Sequence, residues 1–180
     1  MIRDHSFVRF LGAAVLAIAI GGMSAGLEGC EKREAEKKQA PATGVVELAV
    51  PFKVKTFGGG EFSLEAKKGK LVVVNFFASW CGPCKEEAPG LQRAYMAFKD
   101  LGVEFIGIAI DDTESGALEF LKRYKITFPA ALDDKGEIAK AYKLFGVPDT
   151  LIIGPDGRFR FAHTGDITEE ELVREIRKAL

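Results

Sequence analysis

Leu71-Val72-Val73-Val74-Asn75-Phe76-Phe77 is an almost unbroken run of β-branched and aromatic residues, interrupted by one amide. A strand with one face in water would alternate; this one predicts a strand covered on both faces. Three residues on comes Trp80-Cys81-Gly82-Pro83-Cys84. Lys85 to Asp100 then carries Leu91, Ala94, Tyr95 and Phe98 at three- and four-residue spacing, the pattern of an amphipathic helix. A buried strand, a Cys-x-x-Cys turn and a helix in that order require a layered α/β fold.

The rest of the chain from Val45 fits that frame. Phe52 to Phe57, Gly58-Gly59-Gly60 and Glu61 to Leu64 predict an N-terminal hairpin on a sheet edge. Val103 to Ile110 reads as a second buried strand, ending in the helix-capping types Asp111-Asp112-Thr113. Leu118, Leu121 and Tyr124 mark the next helix, Phe128 to Ala131 a short extended piece, and Ile138 to Tyr142 a brief helix. Thr150 to Ile153, the turn Gly154-Pro155-Asp156-Gly157 and Arg158 to His163 form a second hairpin. Thr168-Glu169-Glu170-Glu171 is a capping box, opening a helix with Leu172, Ile176 and Leu180 on one face. The predicted fold is an α/β sandwich with a mixed central sheet flanked by helices, its central strands parallel.

Placement gives the cysteine pair its chemistry. A helix N-terminus presents unpaired N–H groups and about half a positive charge, which stabilise a thiolate. Cys81 is expected at the lip of the helix as the more exposed thiol, and Cys84 one turn inward and shielded. Pro83 suits the first turn, where its missing N–H costs nothing. A closed zinc site would need four ligands, and the domain offers only His163 besides the pair, so no metal is expected. The same lone His argues against a Cys–His hydrolase. A purely structural disulfide would remove little chain entropy across so short a loop. Redox exchange is the reading that remains strongest.

Composition excludes other classes. With Lys+Arg 25 against Asp+Glu 26, the net charge of -1 offers no basic surface for nucleic acid. A hydrophobic fraction of 47% with 14 Phe supplies a core and excludes a disordered chain. Three cysteines are too few for a disulfide-stapled scaffold.

The stretch from Val74 to Pro89, VNFFASWCGPCKEEAP, resembles the active-site block of the thioredoxin superfamily, and more narrowly its TlpA/ResA branch of membrane-tethered, extracytoplasmic proteins. The likeness covers about residues 45–180. It implies a thioredoxin-like sandwich and a thiol–disulfide oxidoreductase in which Cys81 attacks and Cys84 resolves. It implies that Pro148 is a cis-proline, with Val147–Pro148 and Trp80 lining the substrate site, and that Pro89 kinks the helix. Asn75 departs from the buried Asp that cytoplasmic thioredoxins carry there, and an amide cannot titrate. Glu87 matches the Glu that TlpA/ResA proteins carry three residues after the second Cys. It is the expected proton acceptor, against the reading of a solvated helix charge such as Glu86.

The N-terminus reads as an address. Arg3 and Arg9 precede Phe10 to Leu27, a run without charge, which is the shape of an export signal or membrane anchor over residues 1–30. Leu27-Glu28-Gly29-Cys30 resembles a bacterial lipobox, with Glu28 departing from its pattern. A lipidated Cys30, an uncleaved anchor and a cleaved signal stay open, and each puts the remainder outside the cytoplasm. Residues 31–44, beginning EKREAEKK, read as a charged tether reaching on the order of 45 Å when extended, at ~3.3 Å per residue.

The expected function is reduction of disulfides in exported proteins, since the Gly-Pro dipeptide resembles that of reducing family members. The branch implies clients such as apocytochrome c or a copper-site precursor, and a membrane electron-donor protein. No cofactor is expected, and the chain is expected to be a monomer. Two alternatives are a thiol peroxidase and a redox-silent chaperone or copper-delivery module on the same fold. Against the peroxidase, Ala78 stands where peroxiredoxins place Thr or Ser.

Overall fold

The computed structural model describes residues 47–180; the segments expected at 1–30 and 31–44, Cys30 among them, lie outside the described residues. Strands β1 (Lys53–Lys55) and β2 (Glu61–Ser63) form the expected hairpin, with Val54 opposite Phe62. Then follow β3 (Val72–Phe77), α1 (Gly82–Phe98), β4 (Glu104–Ala109), α2 (Glu114–Arg123) and β5 (Ala130–Leu132). The chain closes with α3 (Glu137–Ala141), β6 (Asp149–Ile153), β7 (Phe159–Thr164) and α4 (Glu169–Ala179).

The larger sheet has the order β5-β4-β3-β6-β7, so the apolar run Val72–Phe77 is its centre and all six residues are buried. β4 runs parallel to β3, with Val74 beside Ile106, and β5 runs parallel to β4. β6 runs antiparallel to β3, with Val74 opposite Leu151, and β7 antiparallel to β6. This is the mixed sheet the sequence predicts.

Alternation along β3 sorts the core into two layers. Val72, Val74 and Phe76 join Ile106, Ile108, Leu151 and Ile153, under the hairpin's Phe62 and Leu64 and α3's Ile138. Val73, on the other face, joins Leu91, Ala94 and Phe98 of α1 and Leu172 and Ile176 of α4. Asn75 shares that second face and therefore looks toward α1. The hairpin also reaches the sheet edge, where Thr56 bridges Ala131 and the Phe57 N–H donates to the Ala130 carbonyl at 2.9 Å. At the other edge Leu48 bridges Arg158.

Local signals set the ends of the elements. α1 passes through a 3-10 turn, Lys99–Leu101, and stops at Gly102, whose φ of 84° is the left-handed conformation that glycine adopts without strain. Thr168 caps α4 by accepting from the Glu171 N–H at 3.2 Å. The capping box is half used, because the Glu171 carboxylate pairs with Arg174 at 3.4 Å. Two expected core positions are corrected. α2 buries Ala117 and Phe120, with Leu121 and Tyr124 partly covered, while Leu118 is 43% exposed. The small Ala117 lets the helix approach closely, which a search for bulky residues passes over. Leu180 is 66% exposed because α4 ends at Ala179, before the stripe reaches it.

Ile176 has no exposed surface and sits under the sheet. Ile176→Ala should therefore destabilise the protein by about 2–5 kcal/mol through lost burial and a residual cavity. Leu180→Ala should change stability by less than about 0.5 kcal/mol. Urea unfolding of the two variants checks both values.

Candidate active site

β3 and β6 last pair at Phe76 and Asp149, so the residues after β3 and before β6 emerge together at one end of the sheet. Cys81 is the N-cap of α1, and its Sγ accepts the Cys84 N–H at 3.1 Å. Helix formation brings the two Cα atoms to 5.3 Å, and the sulfurs are joined in a disulfide. Cys81 is 4% exposed and Cys84 1%. That order is the expected one, but Cys81 is no open lip. Phe77, Ala78, Ala88, Ala109, Ala117 and Phe120 pack around the pair. Access therefore comes through the loops.

Val147 packs against this cysteine cluster, and the Val147–Pro148 peptide is cis, as the resemblance implied. Pro148 is buried, and its carbonyl accepts from the Gly165 N–H at 2.9 Å. Trp80 belongs to the surface, 61% exposed, with its indole N–H donating to the Asp111 carbonyl at 2.8 Å. Pro89 lies inside α1, which continues through it.

Sequence reasoning missed Asp112. One carboxylate oxygen accepts the Ser79 N–H, and the other accepts the Ser79 hydroxyl at 2.8 Å and the Thr113 N–H at 2.8 Å. This clamps the loop before Cys81 to the turn after β4. Gly116 makes room, since a Cβ there would lie 2.7 Å from the Ser79 hydroxyl. Only Thr113 of the three capping candidates is the N-cap, accepting the Gly116 N–H at 3.1 Å. The pairing joins two loops 33 residues apart, and residue type alone cannot distinguish it from a cap.

Glu87 is not a solvated helix charge. It is 5% exposed, while neighbouring Glu86 faces solvent. One of its oxygens accepts the Asn75 amide at 2.8 Å and the other the Ile167 N–H at 3.0 Å. The Asn75 amide also lies 3.1 Å from the Thr150 hydroxyl. Burial pushes the Glu87 pKa up from 4.5 to about 7, outweighing the hydrogen bonds from Asn75 and Ile167, with the charges of Asp166 and Asp149 adding to the rise. Asp149 is itself buried beside Pro148 and raised by that burial, against a hydrogen bond from Thr164 and the charge of His163. His163 sits on β7 with Nε2 3.0 Å from the Asp166 carbonyl. Among the described residues no three His, Cys, Asp or Glu side chains gather closely enough to hold a metal ion.

Comparison with known proteins agrees with this geometry. The AhpC/TSA family model matches residues 45–162. The thiol–disulfide oxidoreductase ResA of Bacillus thuringiensis subsp. konkukian is 35% identical over 127 residues, covering 71% of this chain and 73% of its own. The chain belongs to the thioredoxin-like AhpC/TSA family. Within that family it is a thiol–disulfide oxidoreductase of the ResA/DsbE type. A thiol:disulfide interchange protein of the thioredoxin family from Chlorobium tepidum superposes with a TM-score of 0.69 at 27% identity, over 78% of this chain and 99% of that one. A secreted disulfide oxidoreductase of Mycobacterium tuberculosis does so with a TM-score of 0.65 at 27% identity, over 71% of this chain and 95% of that one. The AhpC/TSA match spans both cysteines, Glu87 and Pro148 and stops before α4.

Glu87 carries a pH signature. With the disulfide intact, the folded protein keeps a proton on Glu87 between pH 4.5 and about 7 that the unfolded chain has lost. Stability should therefore fall as pH rises through that window and level off above it, by roughly 3 kcal/mol in all. Glu87→Gln should flatten the slope, which denaturant titrations at a series of pH values measure.

Proposed function

We propose that this protein is an extracytoplasmic, membrane-tethered reductase of disulfides in exported proteins. The buried Cys81–Cys84 pair at the N-terminus of α1 carries the reading. In the reduced enzyme the Cys81 thiolate attacks a client disulfide, forming a mixed disulfide and releasing one client thiolate. Cys84 then attacks the Cys81 sulfur, closing the Cys81–Cys84 disulfide and releasing the second client thiolate. Two electrons pass from the pair to the client. A membrane protein donating two electrons would restore the dithiol. The cis Val147–Pro148 segment and Trp80 support a client site beside the sulfurs, as the family resemblance implies.

Glu87 is assigned the proton of Cys84. Asn75 cannot take it, but its amide holds Glu87 in place, and a pKa of about 7 suits a group that must both gain and lose a proton near neutrality. Ala78, with no exposed surface, has no hydroxyl to offer a peroxide, which favours exchange over the peroxidase alternative. A redox-silent chaperone or copper-delivery module would keep its activity in Cys81→Ala; the exchange reading requires that activity to vanish. Apocytochrome c and copper-site precursors are the clients the resemblance points to. Export is supported by Arg3, Arg9 and the uncharged run from Phe10 to Leu27, and by likeness to a secreted oxidoreductase.

The direction of exchange is tested by equilibrating the protein with a glutathione series. The Gly-Pro dipeptide implies a potential near about -270 mV, as in thioredoxin, and a value above about -150 mV would remove the reductase assignment. Tethering is tested at Cys30. Lipid labelling that disappears in Cys30→Ala is the outcome expected of a lipoprotein, and mass spectrometry showing unmodified Cys30 on an intact N-terminus would assign an uncleaved anchor instead.

A further inference from the structure

In the oxidised protein the disulfide itself keeps Cys81 beside Cys84; once it opens, only non-covalent contacts hold the attacking sulfur at the helix terminus. The residues before Cys81 form a tight turn, closed by the Cys81 N–H donating to the Ala78 carbonyl at 3.1 Å. Ser79 and Trp80 are its two corners, and both are gripped from outside α1. The Trp80 indole donates to the Asp111 carbonyl at 2.8 Å. Ser79 gives the Asp112 carboxylate both its N–H and its hydroxyl, the latter at 2.8 Å.

That carboxylate is itself aimed. The oxygen that takes the Ser79 hydroxyl also accepts the N–H of Thr113, the N-cap of α2, at 2.8 Å. A Cβ at Gly116 would lie 2.8 Å from the same oxygen, so glycine leaves the carboxylate its place. Neighbouring charge does not favour a thiolate here. Within three residues of the cysteine pair, of the end of β4 and of Pro148, the charged side chains are Lys85 and the acids Glu86, Glu87, Asp111, Asp112 and Asp149. Acids in excess oppose a further anion, which leaves the amides of α1 as its support. The Cys84 N–H, 3.1 Å from the Cys81 sulfur, is the amide in place. A sulfur that drifts off it loses a charge-assisted bond.

We infer that Asp112 is a positioning residue: by gripping Ser79 it keeps the Cys81 sulfur on the Cys84 N–H after the disulfide opens, and so holds it as the thiolate. The inference rests on the exchange reaction proposed above, whose nucleophile is that thiolate. The sign of the effect separates gripping from plain charge. Neutralising an acid near a thiol lowers the thiol pKa, whereas releasing the turn raises it.

The test uses the reduced full chain. Alkylation of Cys81 across a pH series gives its thiol pKa, with fragment-ion mass spectrometry separating Cys81 from Cys84 and Cys30. Asp112→Ala should raise that pKa by about one unit, a tenfold loss of thiolate at pH values below it. Reduction of a peptide held as a mixed disulfide with glutathione should slow by only about threefold, because a more basic thiolate is also more nucleophilic. Ser79→Ala keeps the carboxylate and should raise the pKa by less. The double variant should match Asp112→Ala, since the two side chains act through each other. Glu114→Gln, which neutralises an exposed acid on α2, should leave the pKa unchanged. A pKa that falls in Asp112→Ala and holds in Ser79→Ala assigns Asp112 a through-space charge and overturns the inference. Unchanged pKa values in both variants, with lower unfolding midpoints, make the clamp structural and overturn it as well. Either result leaves the exchange reaction standing. Failure of the wild type to reduce the peptide, with Cys81 still alkylated, removes the exchange reaction and the inference together.

Discussion

A carboxylate placed between a central strand and its covering helix must be met by donors, because burying it bare costs several kcal/mol. Glu87 is met from two directions, by the Asn75 amide on β3 and by the Ile167 N–H at the approach to α4. Those two bonds tie the strand, the active-site helix and the last helix to one pair of oxygens. They explain the amide in an otherwise apolar strand. A carboxyl at position 75 would set a second acid against Glu87, whereas Asn75 donates without competing for the proton. The partial satisfaction matters as well. Two hydrogen bonds hold the group but do not offset the burial, so its pKa stays near neutrality.

The redox end of the molecule is built by convergence. β3 delivers the cysteines to the helix N-terminus, β4 delivers Asp111 and Asp112, and the segment before β6 delivers Val147 and Pro148. Each contribution alone is an ordinary loop. The Asp112 carboxylate fixes Ser79, the Asp111 carbonyl fixes Trp80, and the cysteines follow directly in sequence. The presentation of Cys81 is thus set from outside its own helix, by a turn whose backbone at Asp111 holds a φ of 49°.

Much of this was legible because it is local. The buried strand, the cysteine turn, both hairpins and α1 follow from periodicity and turn residues, and Pro148 and Glu87 followed from their offsets within a resemblance. What was not legible depends on chain crossings. Asp112 looked like a helix cap because Asp serves both roles and only its distance to Ser79 separates them. The partner of Glu87 from the α4 side is a backbone N–H, which has no sequence signature. α2 was assigned the wrong inward residue because Ala117 fits the core by being small. The buried state of Cys81 was missed for the opposite reason: a helix terminus implies exposure until other loops close over it.

The chain's entry into the domain has a mechanical side. Within nine residues it touches both edge strands, through Leu48 opposite Arg158 at β7 and Thr56 opposite Ala131 at β5. A strand edge is a template for another chain, and here one short segment shields part of both. Peeling that segment back would not fray one border of the sheet; it would open two at once, on opposite sides. Any tug transmitted down the N-terminal chain would reach the β7 border first, at Leu48, and the hairpin's grip on β5 only after that.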